Sequence, residues 1–131
     1  MRVLKYIENC AALNHDGAAW IAYVQTSRSG RTIYFNGRAL QASTRGGVIG
    51  NYHDLETREE YWVSGVKKRG SNRHWAGKGL ILVEESAVPE LLALTGQSTL
   101  DTSVFRVTPD LPLTDPQQFV ERFNPDPFGD G

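Results

Sequence analysis

Two alternating runs joined by a tight loop limit most strongly what this chain can become. In 18–26, Trp20, Ala22 and Val24 fall on one side and Ile21 and Tyr23 on the other. In 31–36, Ile33 and Phe35 alternate with Thr32 and Tyr34. A period of two belongs to a strand, because successive side chains leave a pleated strand on opposite faces. Ser27, Arg28, Ser29 and Gly30 lie between the runs and are loop residues, so the pair reads as a β-hairpin. Trp20, Tyr23, Phe35 and, further on, Trp62 read as core or sheet-face residues. Aromatic side chains of this kind supply the burial a small domain needs.

The same reasoning predicts strands over 2–8, 38–42, 52–56, 60–66, 80–84 and 104–107. Turn residues separate them at 14–17, at Gly37, at Gly46-Gly47, at Gly50-Asn51 and over 56–59. Two helices are predicted after the strands. The first takes Ser86 as its N-cap, carries Glu90 in its first turn, turns Leu91, Leu92 and Leu94 inward, and stops at Gly96. The second starts near Thr114-Asp115-Pro116, with Phe119, Val120 and Phe123 on one face. The predicted fold is therefore mainly β (α+β). It is a small bent antiparallel sheet or barrel with one or two short C-terminal helices. A chain of 131 residues gives one domain, with a β-rich core over 1–96. Residues 97–131 read as an acidic, Pro-rich appendage with a short helix and a mobile tail.

Composition excludes several classes. Cys10 is the only cysteine, so no intramolecular disulfide and no Cys-based zinc site can form. Residues 1–9 lack the apolar core of a secretory signal, and no apolar stretch is long enough to span a bilayer. The expectations are a cytoplasmic protein with no membrane partner and no cofactor. The net charge of −1 says little, but its distribution says more. Residues 1–79 hold 12 Lys and Arg against 6 Asp and Glu, whereas 80–131 hold 2 against 9, or +6 against −7. The basic part suits an anionic partner, and the acidic part would cover it or face another chain.

Three blocks of sequence are distinctive. They are SGRTIYFNG at 29–37, GNYHDLET at 50–57 leading into EYWVSGVKK at 60–68, and RHWAG at 73–77. Together they resemble a family of small, mostly uncharacterised bacterial proteins, over roughly the first three quarters of the chain. That resemblance implies little chemistry. Some members carry a deoxyxylulose-phosphate synthase label, and this chain lacks both the length and the thiamine-diphosphate and metal site of such an enzyme.

The sharpest candidate site is a basic segment holding Lys67, Lys68, Arg69, Arg73, His74 and Lys78, with Trp75 among them. Clustered Lys and Arg neutralise phosphates, and an exposed aromatic side chain stacks on an unpaired base. Lys67, Lys68, Arg69, Arg73, Trp75 and Lys78 are therefore the predicted contacts to single-stranded RNA or DNA. Two other classes remain open. One is a protein–protein or partner-neutralising module, including a homodimer, that uses exposed strand edges and the acidic end. The other is a small metal-independent nuclease or toxin-like enzyme using His53 and His74 as acid and base. No local metal-ligand motif joins the histidines, and Gly77-Lys78-Gly79 lacks the spacing of a P-loop.

Overall fold

The computed structural model describes residues 2–10, 19–43, 50–67 and 80–119. The predicted turns at 14–17 and Gly46-Gly47, the basic segment from Lys68 onward, and the predicted tail lie outside these residues. Eight strands form one sheet: β1 (Arg2–Asn9), β2 (Ala19–Thr26), β3 (Thr32–Phe35), β4 (Arg38–Ala42), β5 (Tyr52–Asp54), β6 (Glu60–Ser64), β7 (Ile81–Glu84) and β8 (Phe105–Thr108). The first six are antiparallel to their neighbours, and β1 pairs with both β6 and β2, so they close into a barrel. Closure leaves these six strands without a free edge. That removes most of the strand edges on which self-docking would depend. Among the described residues β8 keeps an unpaired outer edge, and it is four residues long and followed by Pro109.

The alternation read in the sequence decides what fills the barrel. Ile7, Ala22, Val24, Ile33, Phe35, Leu40, Tyr61 and Val63 form the buried interior, and Trp20 meets Phe35 edge-on at 5.3 Å. The opposite residues of β1 and β2 are buried as well. Tyr6, Ala19 and Ile21 lie under Ile81, Val83, Ala87 and Leu91. A closed barrel this small has room for one face of each strand inside. The outer apolar residues of β1 and β2 therefore need a second layer, and β7 with the helix after it supplies one. Similarly, Tyr34 and Ala39 on the outside of β3 and β4 are covered by Phe119. This explains why all four residues of β3 are buried.

Three details depart from the sequence reading. First, β7 runs parallel to β2, and β8 runs parallel to β7. Antiparallel pairing describes the barrel but not its extension. A parallel pair needs a long return connection, and both the stretch between β6 and β7 and the helical stretch between β7 and β8 provide one. Second, Ser86 is not the helix cap. A 3₁₀ turn, Glu85–Ala87, comes first, and helix α1 spans Val88–Thr95 with Ala87 at its N-cap and Pro at its start. The Ser86 N–H donates to Asp110 Oδ1 at 2.9 Å instead. Third, only Leu91 of the three leucines is fully buried, while Leu92 and Leu94 are half-buried. Gly96 ends α1 as predicted. It adopts the left-handed conformation (φ 71°) and its N–H returns to the Leu92 carbonyl. The second predicted helix begins as a turn over 117–119, and its continuation is outside the described residues.

Candidate functional site

Antiparallel strands alternate in direction, so their connections sort to two ends of the barrel. The start of β1, the β2–β3 loop, the β4–β5 connection and the exit of β6 share one end. Its described loop residues are Ser27 to Arg31, Ser43, Gly50, Asn51 and Gly65 to Lys67, and none is Asp or Glu. Arg28, Arg31 and Lys67 are exposed there. The loop that carries the two arginines is well built. The Ser27 N–H donates to the Thr32 carbonyl at 2.9 Å, the Thr32 N–H to Ser27 Oγ at 3.0 Å, and Tyr52 Oη to the Gly30 carbonyl at 2.7 Å. Gly30 sits at φ 83°, where a side chain is disfavoured.

The opposite end differs in charge. There β3 and β4 are joined by Asn36 and Gly37, both at positive φ, and β5 and β6 by residues 55–59. Glu56 and Arg58 are exposed there, and Glu59 is half-buried. Beside them Asp54, 1 % exposed, accepts from Arg38 Nη1 at 2.6 Å and from the Glu56 N–H at 2.7 Å. Burial alone would raise the Asp54 pKa. The Arg38 hydrogen bond and the N–H groups of Glu56 and Thr57 outweigh it and hold the carboxyl below its usual range. Tyr61, whose phenol is pushed up to about 12 chiefly by burial, forms part of the core beneath this pair.

Of the predicted contacts, Lys67 is described, exposed, and placed at the basic end. Lys68, Arg69, Arg73, Trp75 and Lys78 follow it in sequence and lie outside the described residues, as does His74. His53 is half-buried on β5, opposite Gln41 and Glu60, and its Nδ1 meets Ser43 Oγ at 3.1 Å. The structure therefore brings no described acid or base partner to His53 beyond these strand neighbours. Cys10 is buried. Burial first, then the charges of Glu8 and Glu60, push its thiol up to about 11. A thiol so placed is a poor nucleophile. Among the described residues no group of three or more His, Cys, Asp or Glu is placed to hold a metal ion. No described helix is long and apolar enough to cross a membrane.

Comparison with protein families, with curated proteins and with solved structures found no match. Function has to be read from these residues alone.

A second feature lies on the side of the barrel. The edge of β2 away from β1 is shared: β7 pairs with Trp20 and Ile21, and β3 pairs with Gln25 and Thr26. Between these partners the Tyr23 N–H is left over. Glu84, the last residue of β7, fills the gap. Its Oε1 accepts from the Tyr23 N–H at 2.9 Å and its Oε2 from the Leu111 N–H at 2.7 Å. Leu111 belongs to a strap that leaves β8 and crosses the split. The strap is also tied by Asp110 to Ser86, and by Thr114 Oγ1, which accepts from the Gly37 N–H at 2.8 Å. Between strap and barrel a cleft of about 310 Å³ remains, lined by Tyr23, Gln25, Tyr34, Glu84, Asp110 and Leu113 among others. Sequence reasoning missed this site. Glu84 looked like the ordinary polar end of a strand, and its burial at 4 % exposure follows from tertiary pairing alone.

Proposed function

We propose that this chain is a non-enzymatic binding module that contacts single-stranded nucleic acid at the basic end of its barrel. The observation that carries the reading is the sorting of charge by barrel end. Arg28, Arg31 and Lys67 are exposed at the end whose described loops hold no carboxylate. The segment that continues from Lys67 adds Lys68, Arg69, Arg73 and Lys78. A phosphate backbone needs such a one-signed surface, and counterion release supplies most of the affinity. Trp75 is the residue to stack on an unpaired base, and small barrels with basic loops are a common scaffold for that task.

A salt titration of binding to short single-stranded RNA and DNA tests this. The wild type should bind at low salt, with affinity falling as salt rises. Changing Lys67, Lys68, Arg69 and Arg73 to Ala removes four phosphate contacts and should flatten the log–log salt slope by about 3. Arg28→Ala with Arg31→Ala, at residues that sequence reasoning passed over, should flatten it further by about 1. Trp75→Ala should weaken binding by about 1–3 kcal/mol without changing the slope. No binding by the folded wild type at low salt, or an unchanged slope in the fourfold variant, sinks the reading.

A further inference from the structure

We infer that the cleft between β2, β3 and the strap is a binding site for an alkylammonium group. This goes beyond the nucleic-acid reading and does not depend on it, because the cleft lies on the barrel's side and shares no residue with the basic end.

The argument starts from Glu84. Its carboxylate is 4 % exposed, and both oxygens accept from backbone N–H groups. Neither of its ion-pair candidates among the described residues is a cation, since the described salt bridges all belong to Arg38. Two N–H dipoles hold the charge in place but do not neutralise it, and a buried carboxylate without a cation is costly. Its residual field opens into the cleft, whose lining includes Asp110 and contains no Lys or Arg. The other walls suit a cation on a carbon chain. Tyr23 and Tyr34 line the cleft and supply aromatic surface, which attracts an ammonium through the ring quadrupole. Tyr23 is positioned by donating its hydroxyl to Glu90 Oε1 at 2.5 Å, and Tyr34 by packing on Phe119, with ring centroids 5.9 Å apart. Leu113, 72 % exposed at the mouth, and Leu111 give apolar surface to a methylene chain. A volume of about 310 Å³ is at the lower limit for small-molecule sites, so it suits one amine-bearing chain and not a larger ligand.

An alkylammonium group can come from a free polyamine or from a lysine side chain of a peptide. The site recognises the shared chemistry, and the test separates the sources. Isothermal titration and NMR shift mapping on the full chain would use 1,5-diaminopentane, Nα-acetyl-lysine N-methylamide and, as the uncharged control, 1-pentanol. Binding of at least one amine with shifts at Tyr23, Glu84 and Leu113 is expected, with no matching response to the alcohol. A stronger diamine response assigns the site to free polyamines, and a stronger lysine response assigns it to peptides. Glu84→Gln should weaken binding by about tenfold or more, which is about 1.4 kcal/mol. Because Glu84 also holds the strap, Asp110→Asn serves as a second variant. It keeps an oxygen for the Ser86 N–H, loses only charge, and should weaken binding several-fold. Failure of both amines to shift any cleft residue overturns the proposal. So does equal binding of the alcohol, or unchanged affinity in Asp110→Asn whether or not Glu84→Gln folds. None of these outcomes bears on nucleic-acid binding, which is read at the other end.

Discussion

Replacing Asp54 with Asn tests the account of the barrel's acidic end. The substitution keeps shape and an acceptor for the Glu56 N–H, but it removes the charge that receives Arg38 Nη1 at 2.6 Å. A hydrogen bond to a charged group contributes about 1.5–3 kcal/mol. Breaking a fully buried pair would cost about 3–5 kcal/mol, because the surviving charge is stranded. That upper range does not apply, since the Arg38 side chain is 37 % exposed and Glu59 stands 3.7 Å away. Solvent screening therefore moderates the loss. The expected cost is about 2 kcal/mol, or a fall in Tm of about 8 °C for a domain of this size. The pH dependence gives the reasoning a second edge. Asp54 has its pKa lowered in the folded state, so it contributes stability above the ordinary carboxylate value of about 3.9 and loses it as pH falls through the folded value. Urea denaturation at pH 7, 5 and 3 should show the wild-type advantage intact at the first two and shrinking at the third. Adding Arg38→Met closes a double-mutant cycle, and a coupling of about 1 kcal/mol or more is expected. A cost below about 0.5 kcal/mol at pH 7, or a difference that ignores pH, refutes the assignment.

Two further expectations follow from the packing. A Cβ added to Gly50 would stand 2.5 Å from the Tyr61 carbonyl oxygen and 2.8 Å from its nitrogen, whereas one added to Gly65 meets nothing within 4 Å. Gly50→Ala should therefore cost about 2–3 kcal/mol and Gly65→Ala less than about 0.5 in chemical denaturation, and equal costs would contradict this approach of the two strands. Cys10, with its thiol at about 11, should react with a disulfide reagent at pH 8 roughly two orders of magnitude more slowly in the native protein than in denaturant. Comparable rates would mean that the thiol is neither buried nor protonated.

The parts of the fold that were legible in the sequence are those set by local alternation. Trp20, Ala22 and Val24 face the interior and Ile21 and Tyr23 the outside, because period two leaves no other choice. Gly96 marked a helix end because few other residues tolerate its conformation. What was not legible depends on pairing at long range. Nothing in the run Ile81–Glu84 states that it lies parallel to β2, and a buried Glu at its end reads as exposed until the split in β2's edge is known. Ser86 resembles an N-cap by residue type, yet the 3₁₀ turn places it elsewhere. Arg28 and Arg31 were hidden as loop residues. Their position beside Lys67 was within reach, because antiparallel strands in sequence order put alternate connections at the same end.

The split in β2's edge also fixes where the acidic part of the chain goes. A closed barrel of six strands leaves β2 with β1 on one side and too short a β3 on the other. The remaining edge of β2 recruits β7, and β7 recruits β8. The chain leaving β8 must then cross the split, where Glu84 and Ser86 capture Leu111 and Asp110. Thr114 reaches Gly37 and Phe119 covers Tyr34, so every tether of the strap is on the barrel's side or at the end away from Arg28 and Arg31. Through Phe119, the acidic residues are thus tied down at a distance from the basic end instead of neutralising it. Charge that is separated in sequence stays separated in space, and a polyanion at the basic end need not compete with a cation in the cleft.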